Sequence, residues 1–256
     1  MTTRVITISN QKGGVGKTTT AVNLAHALSM KGKQVLLIDL DPQGQCATKL
    51  GMEGQMGAYY FLTTAPASSA EIDFVRQWVQ ESGREGLRLI PGNAMTSAAQ
   101  MMLSVQEKPI SYIRDLLKIF QRDPLDYVLF DTSPSVGGLQ ERAVWAADLV
   151  IVPTATEFAS LDSLSKTVEM MQSLRVQKGW RGGLLGILPT FYDATRESRS
   201  SLEDLQRTFD ENILEPIHRA TVLRECWGEG KTIFEYGPTS RSAQAYQSLV
   251  ERVRKY

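Results

Sequence analysis

The sequence holds few of the residues that build metal clusters and disulfide frameworks. Its 256 residues include two cysteines, Cys46 and Cys226, and two histidines, His26 and His218. The cysteines are too few and too far apart in the chain for a zinc or iron–sulfur motif, and neither histidine lies in a metal-binding pattern. We therefore expect reduced cysteines that behave as small apolar side chains, and histidines with structural or surface roles.

The sequence also lacks long apolar runs and an excess of one charge. No segment approaches the roughly 20 apolar residues that a helix needs to cross a bilayer, and residues 1–4 lead into a strand-like segment without a signal-peptide pattern. Lysine plus arginine and aspartate plus glutamate number 28 each. We expect a cytoplasmic protein in which any binding of nucleic acid depends on a local basic patch.

The residues that are present have the proportions of a globular protein. Hydrophobic residues make up 42% of the chain and charged residues 22%, both ordinary values for such proteins. The length fits one α/β domain or two small ones. Because no linker, repeat or low-complexity tract interrupts the chain, we predict a single domain over residues 1–256.

Strand-like and helical patterns alternate along the chain. Residues 4–9 are rich in β-branched side chains, residues 17–30 carry apolar residues at helical spacing, and residues 34–40 form a continuous apolar run typical of a strand buried on both faces. This β-loop-α-β unit implies a parallel sheet. Similar runs occupy residues 87–90, 127–130, 149–152 and 184–188. We predict an α/β fold with a doubly wound, mostly parallel sheet and helices on both faces, in which residues 51–85 are the hardest to place.

The glycine-rich segment between the first strand and the first helix has the pattern of a phosphate-binding loop. Glycines let backbone N–H groups converge on a phosphate, and the helix N-terminus adds a favourable dipole. Lys17 can reach the β and γ phosphates, and the Thr18 hydroxyl can ligate Mg²⁺. Gln11 replaces the first glycine of the usual pattern, and Lys12 is an extra lysine before the paired glycines. The predicted nucleotide contacts in this segment are Lys12, Gly13, Gly14, Val15, Gly16, Lys17, Thr18 and Thr19.

Carboxylates follow two of the predicted strands. Asp39 and Asp41 end the second strand, and Asp131 ends a later one, within the sequence FDTSPS. Because ligands of open α/β sheets bind beyond the carboxyl ends of the strands, these side chains are expected to converge on the loop. We predict that Thr18, Asp39 and Asp131 serve Mg²⁺, with Asp131 acting directly or through water.

Three motifs together resemble those of the ParA/MinD family of deviant-Walker ATPases. They are KGGVGKTT at residues 12–19, DLDPQG at residues 39–44 and FDTSPS at residues 130–135. Further matches follow in the family's order as far as residue 238, so the resemblance covers nearly the whole chain. The sequence looks most similar to the ParA, or Soj-like, partition branch, whose relatives also position carboxysomes and other cargo.

The resemblance implies a P-loop ATPase that hydrolyses ATP slowly as a two-state switch. Lys12 would reach across a homodimer interface to the partner's ATP, and the dimer would enclose two ATP molecules. Asp41 would help orient the attacking water, with Asp39 near the metal. The adenine would lie near Ile217, His218 and Arg219. A ParB-like or adaptor protein would stimulate hydrolysis, and the cargo would be a plasmid, a chromosome region or a carboxysome-like body.

The resemblance also implies nonspecific DNA binding and a nucleoid-associated location. The family's basic positions fall near Arg196 and at Arg219, with Arg224, Lys231 and Arg241 as neighbours. In the family an arginine directly follows an Asp-Ala pair, whereas here Arg196 comes one position later. From residue 175 onward there are 13 basic and 11 acidic side chains, a surplus of two that also fits an ordinary solvated surface of mixed charge.

Other interpretations of the sequence remain open. A MinD-like protein would bind membranes through its last helix, but we expect the apolar face of residues 243–256 to pack on the domain. Lys12 and Asp41 argue against a scaffold that binds ATP without turnover. A reductase of the nitrogenase iron-protein type would need paired cluster cysteines, which Cys46 and Cys226 do not supply.

Three methionines, Met95, Met101 and Met102, are expected to fill the core rather than form a partner surface.

Overall fold

Seven strands form one sheet in the computed structural model, which describes residues 3–64, 68–135, 138–157, 160–193 and 195–256, with only the backbone at residues 160 and 161. In chain order the strands are β1 Arg4–Ile8, β2 Val35–Asp39, β3 Gln80–Arg84, β4 Leu87–Ile90, β5 Tyr127–Asp131, β6 Leu149–Ala155 and β7 Gly183–Thr190. Their spatial order is β3-β4-β2-β5-β1-β6-β7. Every neighbouring pair is parallel except β3 and β4. The predicted doubly wound, mostly parallel sheet is confirmed.

Helices cover both faces of the sheet. Along β2, Leu37 packs with Leu24 and Tyr246 on one face, whereas Ile38 packs with Phe61 on the other, because successive side chains of a strand point to opposite faces. The α-helices described are α1 Lys17–Ser29, α2 Gln45–Lys49, α3 Gly57–Thr63, α4 Ser69–Arg76, α5 Met95–Val105, α6 Tyr112–Leu116, α7 Leu139–Ala146, α8 Ser160–Lys178, α9 Arg196–Phe209, α10 Val222–Gly228, α11 Ile233–Tyr236 and α12 Arg241–Arg254.

The sheet register brings the predicted site residues to one edge. Ile8 and Asp39 are both paired with Asp131, on either side of β5. The loop that follows β1 therefore starts beside the two strand ends that carry the aspartates. This alignment is the physical basis for the convergence that the strand-end motifs predict.

The edge strand β3 is the main element that the sequence pattern does not predict. Its residues, QESGR, are polar and contain Gly83 at a positive φ of +75°. The strand is held from outside the sheet: the Arg84 guanidinium lies 2.8 Å from the Glu235 carboxylate and donates to the carbonyl oxygens of Leu50 and Gly230. Tertiary contacts, rather than local propensity, thus form this strand.

The last helix packs on the domain, as expected. The apolar residues of α12 are buried, and the helix lies against α1. Those residues are Ala243, Tyr246, Leu249, Val250 and Val253. Among the helices in the described part of the chain, none has the length and apolar character needed to traverse a bilayer.

The methionines of α5 do not fill the core as expected. Met101 is 69% exposed and Met95 is 39% exposed, whereas Ala99 and Leu103 on the same helix are buried. Met102 is half-buried, and its sulfur accepts a hydrogen bond from the Tyr59 hydroxyl at 3.7 Å. The expectation is wrong for Met95 and Met101 because α5 has a narrower buried stripe than its apolar composition indicates.

Candidate functional site

The glycine-rich loop turns tightly between β1 and α1. Gly14 and Gly16 have φ values of +72° and +87°, a region that side chains with a Cβ rarely adopt. The Lys12 N–H donates to Asn10 Oδ1 at 2.9 Å, and the Lys17 ammonium donates to the Lys12 carbonyl oxygen at 2.8 Å. These two hydrogen bonds close the loop, and the second holds the Lys17 side chain across the opening of the loop.

Lys17 is a buried cation. Its side chain is 6% exposed, and burial lowers its pKa, against the opposing effect of the Asp131 and Asp41 charges. A buried ammonium bonded to a single carbonyl gains from additional anionic partners. Phosphate oxygens in the loop would supply such partners.

Asp39 anchors the turn that carries Asp41. One Asp39 carboxylate oxygen accepts the Asp41 N–H and the other accepts the Cys46 N–H, each at 3.0 Å. Gly44 has a φ of +61°, and a Cβ there would clash with the Gly92 carbonyl oxygen. The Asp39 carboxylate thus fixes the turn from within, and the backbone at Gly92 packs closely against it from outside. Asp39 is fully buried, whereas Asp41 lines the open cleft, which favours a positioning role for Asp39 and leaves contact with water to Asp41.

Asp131 carries a buried oxygen that the surrounding protein leaves unsatisfied. The residue is fully buried, and within the described residues its Oδ1 has no hydrogen-bond partner. Burial raises the pKa of Asp131 to about 6, although the nearby Thr18 hydroxyl opposes the rise. Burial also raises the pKa of Asp39 to about 8, with a further contribution from Asp131. Two such carboxyls and the Thr18 hydroxyl fit a bound divalent cation, which prefers oxygen ligands.

Two adjoining cavities run along the carboxyl edge of the sheet. The first, of about 430 Å³, is lined by Gly13, Gly14, Gly16, Lys17, Thr18, Thr19, Asp41, Gln43, Gln45, Lys49, Pro134, Phe191, Arg224 and Trp227. The second, of about 370 Å³, is lined by Gly16, Thr19, Thr190, Phe191, Ile217, His218, Arg219, Ala220, Thr221, Leu223, Arg224, Trp227 and Tyr246. The loop and the predicted adenine region therefore open into one continuous cleft.

The predicted adenine residues form the far wall of this cleft. Ile217 is 3% exposed, and the His218 ring lies edge-on to the Tyr192 ring with centroids 5.2 Å apart. The neighbouring Thr190 hydroxyl donates to the Val15 carbonyl at 2.9 Å, which ties this wall to the phosphate loop. The cleft thus has a polar end at the loop and an end with apolar and aromatic walls.

The sequence does not single out several residues that line the cleft, among them Phe191, Trp227 and Lys49. Phe191 lies within the family motif ILPTFYDATR, which gives no reason to choose it over its neighbours, and no motif marks Trp227 or Lys49. In the structure the Lys49 ammonium lies 3.8 Å from the centre of the Trp227 ring. These two residues come from α2 and α10, so their meeting depends on how the helices pack.

Only two of the four predicted DNA-contacting residues line the cleft. Arg219 lies 3.2 Å from Glu157 and 3.7 Å from Asp193, and its guanidinium is 5.4 Å from the Phe191 ring centre. Arg219 and Arg224 both line the cleft, which Arg196 and Lys231 do not. Arg196 begins α9, and Lys231 lies after α10, 3.9 Å from Glu229. A surface that binds DNA through all four residues would therefore have to include the cleft.

Comparisons of the sequence with known proteins identify its family. Residues 3–180 match the family model described as an AAA domain. The chain is 35% identical over 252 residues to the chromosome-partitioning ATPase Soj of Thermus thermophilus, covering 98% of this chain and 95% of that protein. It is 34% identical over 257 residues to the chromosome partitioning protein ParA of Caulobacter vibrioides, covering 98% and 93%. The chain belongs to the ParA/MinD family of ATPases.

Solved structures of other proteins share this fold. The ATP complex of a McdA variant from Cyanothece has a TM-score of 0.84 at 23% identity, covering 98% of this chain and 96% of that one, and it supports the fold. Cobyrinic acid a,c-diamide synthase from Mycobacterium smegmatis, with bound ADP and magnesium, has a TM-score of 0.80 at 27% identity, covering 99% and 95%. The predicted P-loop fold is thereby confirmed, and the similarity to the Soj and ParA proteins confirms the predicted ATPase activity.

Proposed function

We propose that this ParA-family ATPase is a nucleotide-dependent switch. It dimerises around two ATP molecules, binds nonspecific DNA in that state, and is reset by a partner protein that stimulates hydrolysis. The observation that carries the proposal is the position of Lys12. It precedes the paired glycines of a loop whose own opening is already occupied by Lys17, so a nucleotide on a second chain is the anionic group that a lysine at this position would serve.

The side chains of the cleft divide the chemistry of phosphoryl transfer among them. Lys17 and the loop N–H groups would hold the β and γ phosphates, and Thr18 and Asp131 would hold Mg²⁺, which would neutralise charge on the phosphates. Asp41 accepts a hydrogen bond from the attacking water. Asp39 keeps the Asp41 turn in place through the two N–H bonds that it accepts.

The proposed biological role is the partitioning or positioning of a cargo on the nucleoid, in the cytoplasm. The similar proteins from Thermus thermophilus and Caulobacter vibrioides are named for chromosome partitioning, which favours a DNA cargo over a protein body. The proposed stimulating partner is a ParB-like or adaptor protein. Membrane binding of the MinD type receives no support from α12, whose apolar residues are buried against the domain.

Asp41→Ala is expected to bind ATP but to hydrolyse it at least about 100-fold more slowly, because a water-orienting group contributes roughly 10²–10⁴-fold. The trapped nucleotide should prolong the dimer. Sizing chromatography with ATP, alongside a phosphate-release assay, measures both effects. The control is Asp162→Ala, which removes an exposed aspartate paired only with Lys166 among the described residues and should behave like the unmodified protein. A monomeric Asp41→Ala protein with normal turnover would refute the assignment and favour another residue.

DNA binding is best tested away from the cleft, because substitutions at Arg219 or Arg224 would also disturb a bound nucleotide. Arg196→Glu is expected to weaken binding of nonspecific DNA and to flatten its salt dependence by about one unit of slope for each phosphate that the protein no longer neutralises. Gel mobility of the DNA with ATP, with ADP and without nucleotide measures the binding. The effect of the substitution should appear only in the samples with ATP.

The matched control for this prediction is Arg207→Glu. Arg207 lies on the same helix, near its other end, and pairs with Asp204 at 3.5 Å. The Arg207→Glu substitution makes the same change of charge as Arg196→Glu, so a loss of DNA binding that is caused by net charge alone would appear in both variants. Equal effects of the two substitutions, or none from either, would contradict a role for Arg196 in DNA binding. Equal ATPase rates in all three proteins would show that the cleft is intact.

A further inference from the structure

A thiol lies between the two buried carboxylates at the carboxyl edge of the sheet. Asp39, Cys46 and Asp131 are each fully buried, and one potential ligand atom from each lies within 4.8 Å of the others. The Cys46 sulfur is 3.5 Å from Asp131 Oδ2, and the Cys46 N–H donates to Asp39 Oδ2 at 3.0 Å. The sequence has no zinc motif of paired cysteines, and no local pattern in it shows that Cys46 meets two aspartates.

The two carboxyl groups of this cluster have no ion-pair partner within the described residues. Lys17 and Lys49 are the facing lysines, but Lys17 bonds the Lys12 carbonyl and Lys49 lies over the Trp227 ring. Neither makes an ion pair with Asp39 or Asp131 within 4.0 Å, among the residues described. Asp131 Oδ1, moreover, lacks a hydrogen-bond partner in that same set. An unpaired buried carboxylate is costly, and a coordinated cation is one of the usual ways of satisfying it.

The distances suit a tetrahedral ion with mixed ligands. With Zn–S near 2.3 Å and Zn–O near 2.0–2.2 Å, one edge of a tetrahedron spans about 3.6 Å. The sulfur–oxygen distance of 3.5 Å between Cys46 and Asp131 already has this length. The remaining separations among the three ligand atoms are at most 4.8 Å. Three protein ligands leave the fourth position for water or for the Thr18 hydroxyl, which lies beside Asp131.

We propose that Asp39, Cys46 and Asp131 form a binding site for a thiophilic divalent cation, with Zn²⁺ as its best fit. A thiolate ligand favours Zn²⁺ over Mg²⁺, which prefers octahedral oxygen ligands. On binding, the Cys46 thiol releases its proton to solvent and its sulfur donates an electron pair to the ion, without oxidation or reduction. Because Asp131 also belongs to the proposed magnesium site, Zn²⁺ would compete with Mg²⁺ and hold the switch inactive, a consequence that rests on the proposed function.

The test measures metal binding to the full chain without nucleotide, so it does not depend on ATPase activity. Calorimetry with ZnCl₂ and competition with a chromophoric chelator should show one tight site per chain. Cys46→Ser should weaken Zn²⁺ binding by about 100-fold or more, because even outer-shell changes at zinc sites cost 10–100-fold. With CdCl₂ as the probe, the ultraviolet band of a cadmium thiolate should appear in the unmodified protein and be absent in Cys46→Ser.

The matched control is Cys226→Ser. Cys226 is also buried, but its thiol donates to the Leu223 carbonyl at 3.4 Å and it lies outside the cluster. This variant should bind Zn²⁺ and Cd²⁺ like the unmodified protein. Cys46→Ala, with its melting temperature measured, provides a second variant if serine disturbs the fold.

The outcomes separate this inference from the proposed function. Equal Zn²⁺ affinities in the Cys46 and Cys226 variants, or no tight Zn²⁺ site in the unmodified protein, would overturn the inference. Binding of ATP with Mg²⁺, measured on the same samples, tests the proposed function separately. Loss of Zn²⁺ binding in Cys46→Ser with retained ATP binding would support the site and show that Cys46 is dispensable for the nucleotide.

Discussion

Replacing Lys17 with alanine is expected to abolish measurable ATP binding. Lys17 is the buried cation of the loop, 6% exposed, and its ammonium spans the opening to the Lys12 carbonyl. Removing one partner of a buried charged pair costs about 3–5 kcal/mol, which corresponds to at least about a 100-fold rise in Kd. Calorimetry with ATP and Mg²⁺ measures this change.

Two comparisons make the Lys17 experiment specific. Lys31→Ala removes an exposed lysine just beyond the other end of α1, 3.9 Å from Glu251, and should leave the ATP affinity unchanged. Thr18→Ala should weaken binding only when Mg²⁺ is present, because it removes a metal ligand rather than a phosphate contact. An unaltered ATP affinity in Lys17→Ala would mean that the nucleotide binds elsewhere.

Lys12→Ala is expected to retain monomeric ATP binding but to lose both the ATP-dependent dimer and stimulated hydrolysis. Lys12 follows the strand end and precedes Gly13, in a loop whose opening Lys17 already fills. In a two-fold dimer the same lysine from each chain would complete the site of the other. A cation supplied in trans acts like an arginine finger, which can be worth about 10³–10⁵ in rate. Sizing chromatography and steady-state turnover provide the two measurements.

Mixing two inactive variants tests whether Lys12 acts across the interface. Lys12→Ala chains still hold ATP, and Lys17→Ala chains still offer Lys12, so the mixture should regain some hydrolysis that neither variant shows alone. The control replaces the second partner with a chain that carries both substitutions and therefore offers no Lys12. Recovery with this control as well, or no recovery in either mixture, would remove the main support for action in trans.

The central β-loop-α-β unit was predictable because its signals are local. The apolar run of β2, the helical spacing in α1 and the glycines between them each specify a backbone conformation over a few residues. The strand ends at Asp39 and Asp131 could also be read from the sequence, because apolar runs that end in an aspartate are easily recognised. The parallel topology then follows from connection rules, which bring those ends to one edge.

Other elements could not be read locally because their stabilising partners are distant in the chain. β3 is polar, and its Arg84 is held by Glu235, 151 residues away. Met95 and Met101 lie in an apolar-looking helix, yet the part of α5 that becomes buried depends on what packs against it. Arg224 was predicted as a contact for DNA, but α10 places this exposed side chain on the wall of the cleft.

The sequence by itself determined the phosphate loop, the aspartates that follow two strands and the membership of a family, because each is encoded by residues adjacent in the chain. Only the tertiary structure decided that Asp39 holds the turn while Asp41 lines the cleft, that Lys49 meets Trp227, and that Cys46 joins two carboxylates. These depend on the register of β2 against β5 and on how α2 packs behind them. A side chain's neighbours across a sheet are set by long-range pairing, which no local pattern records.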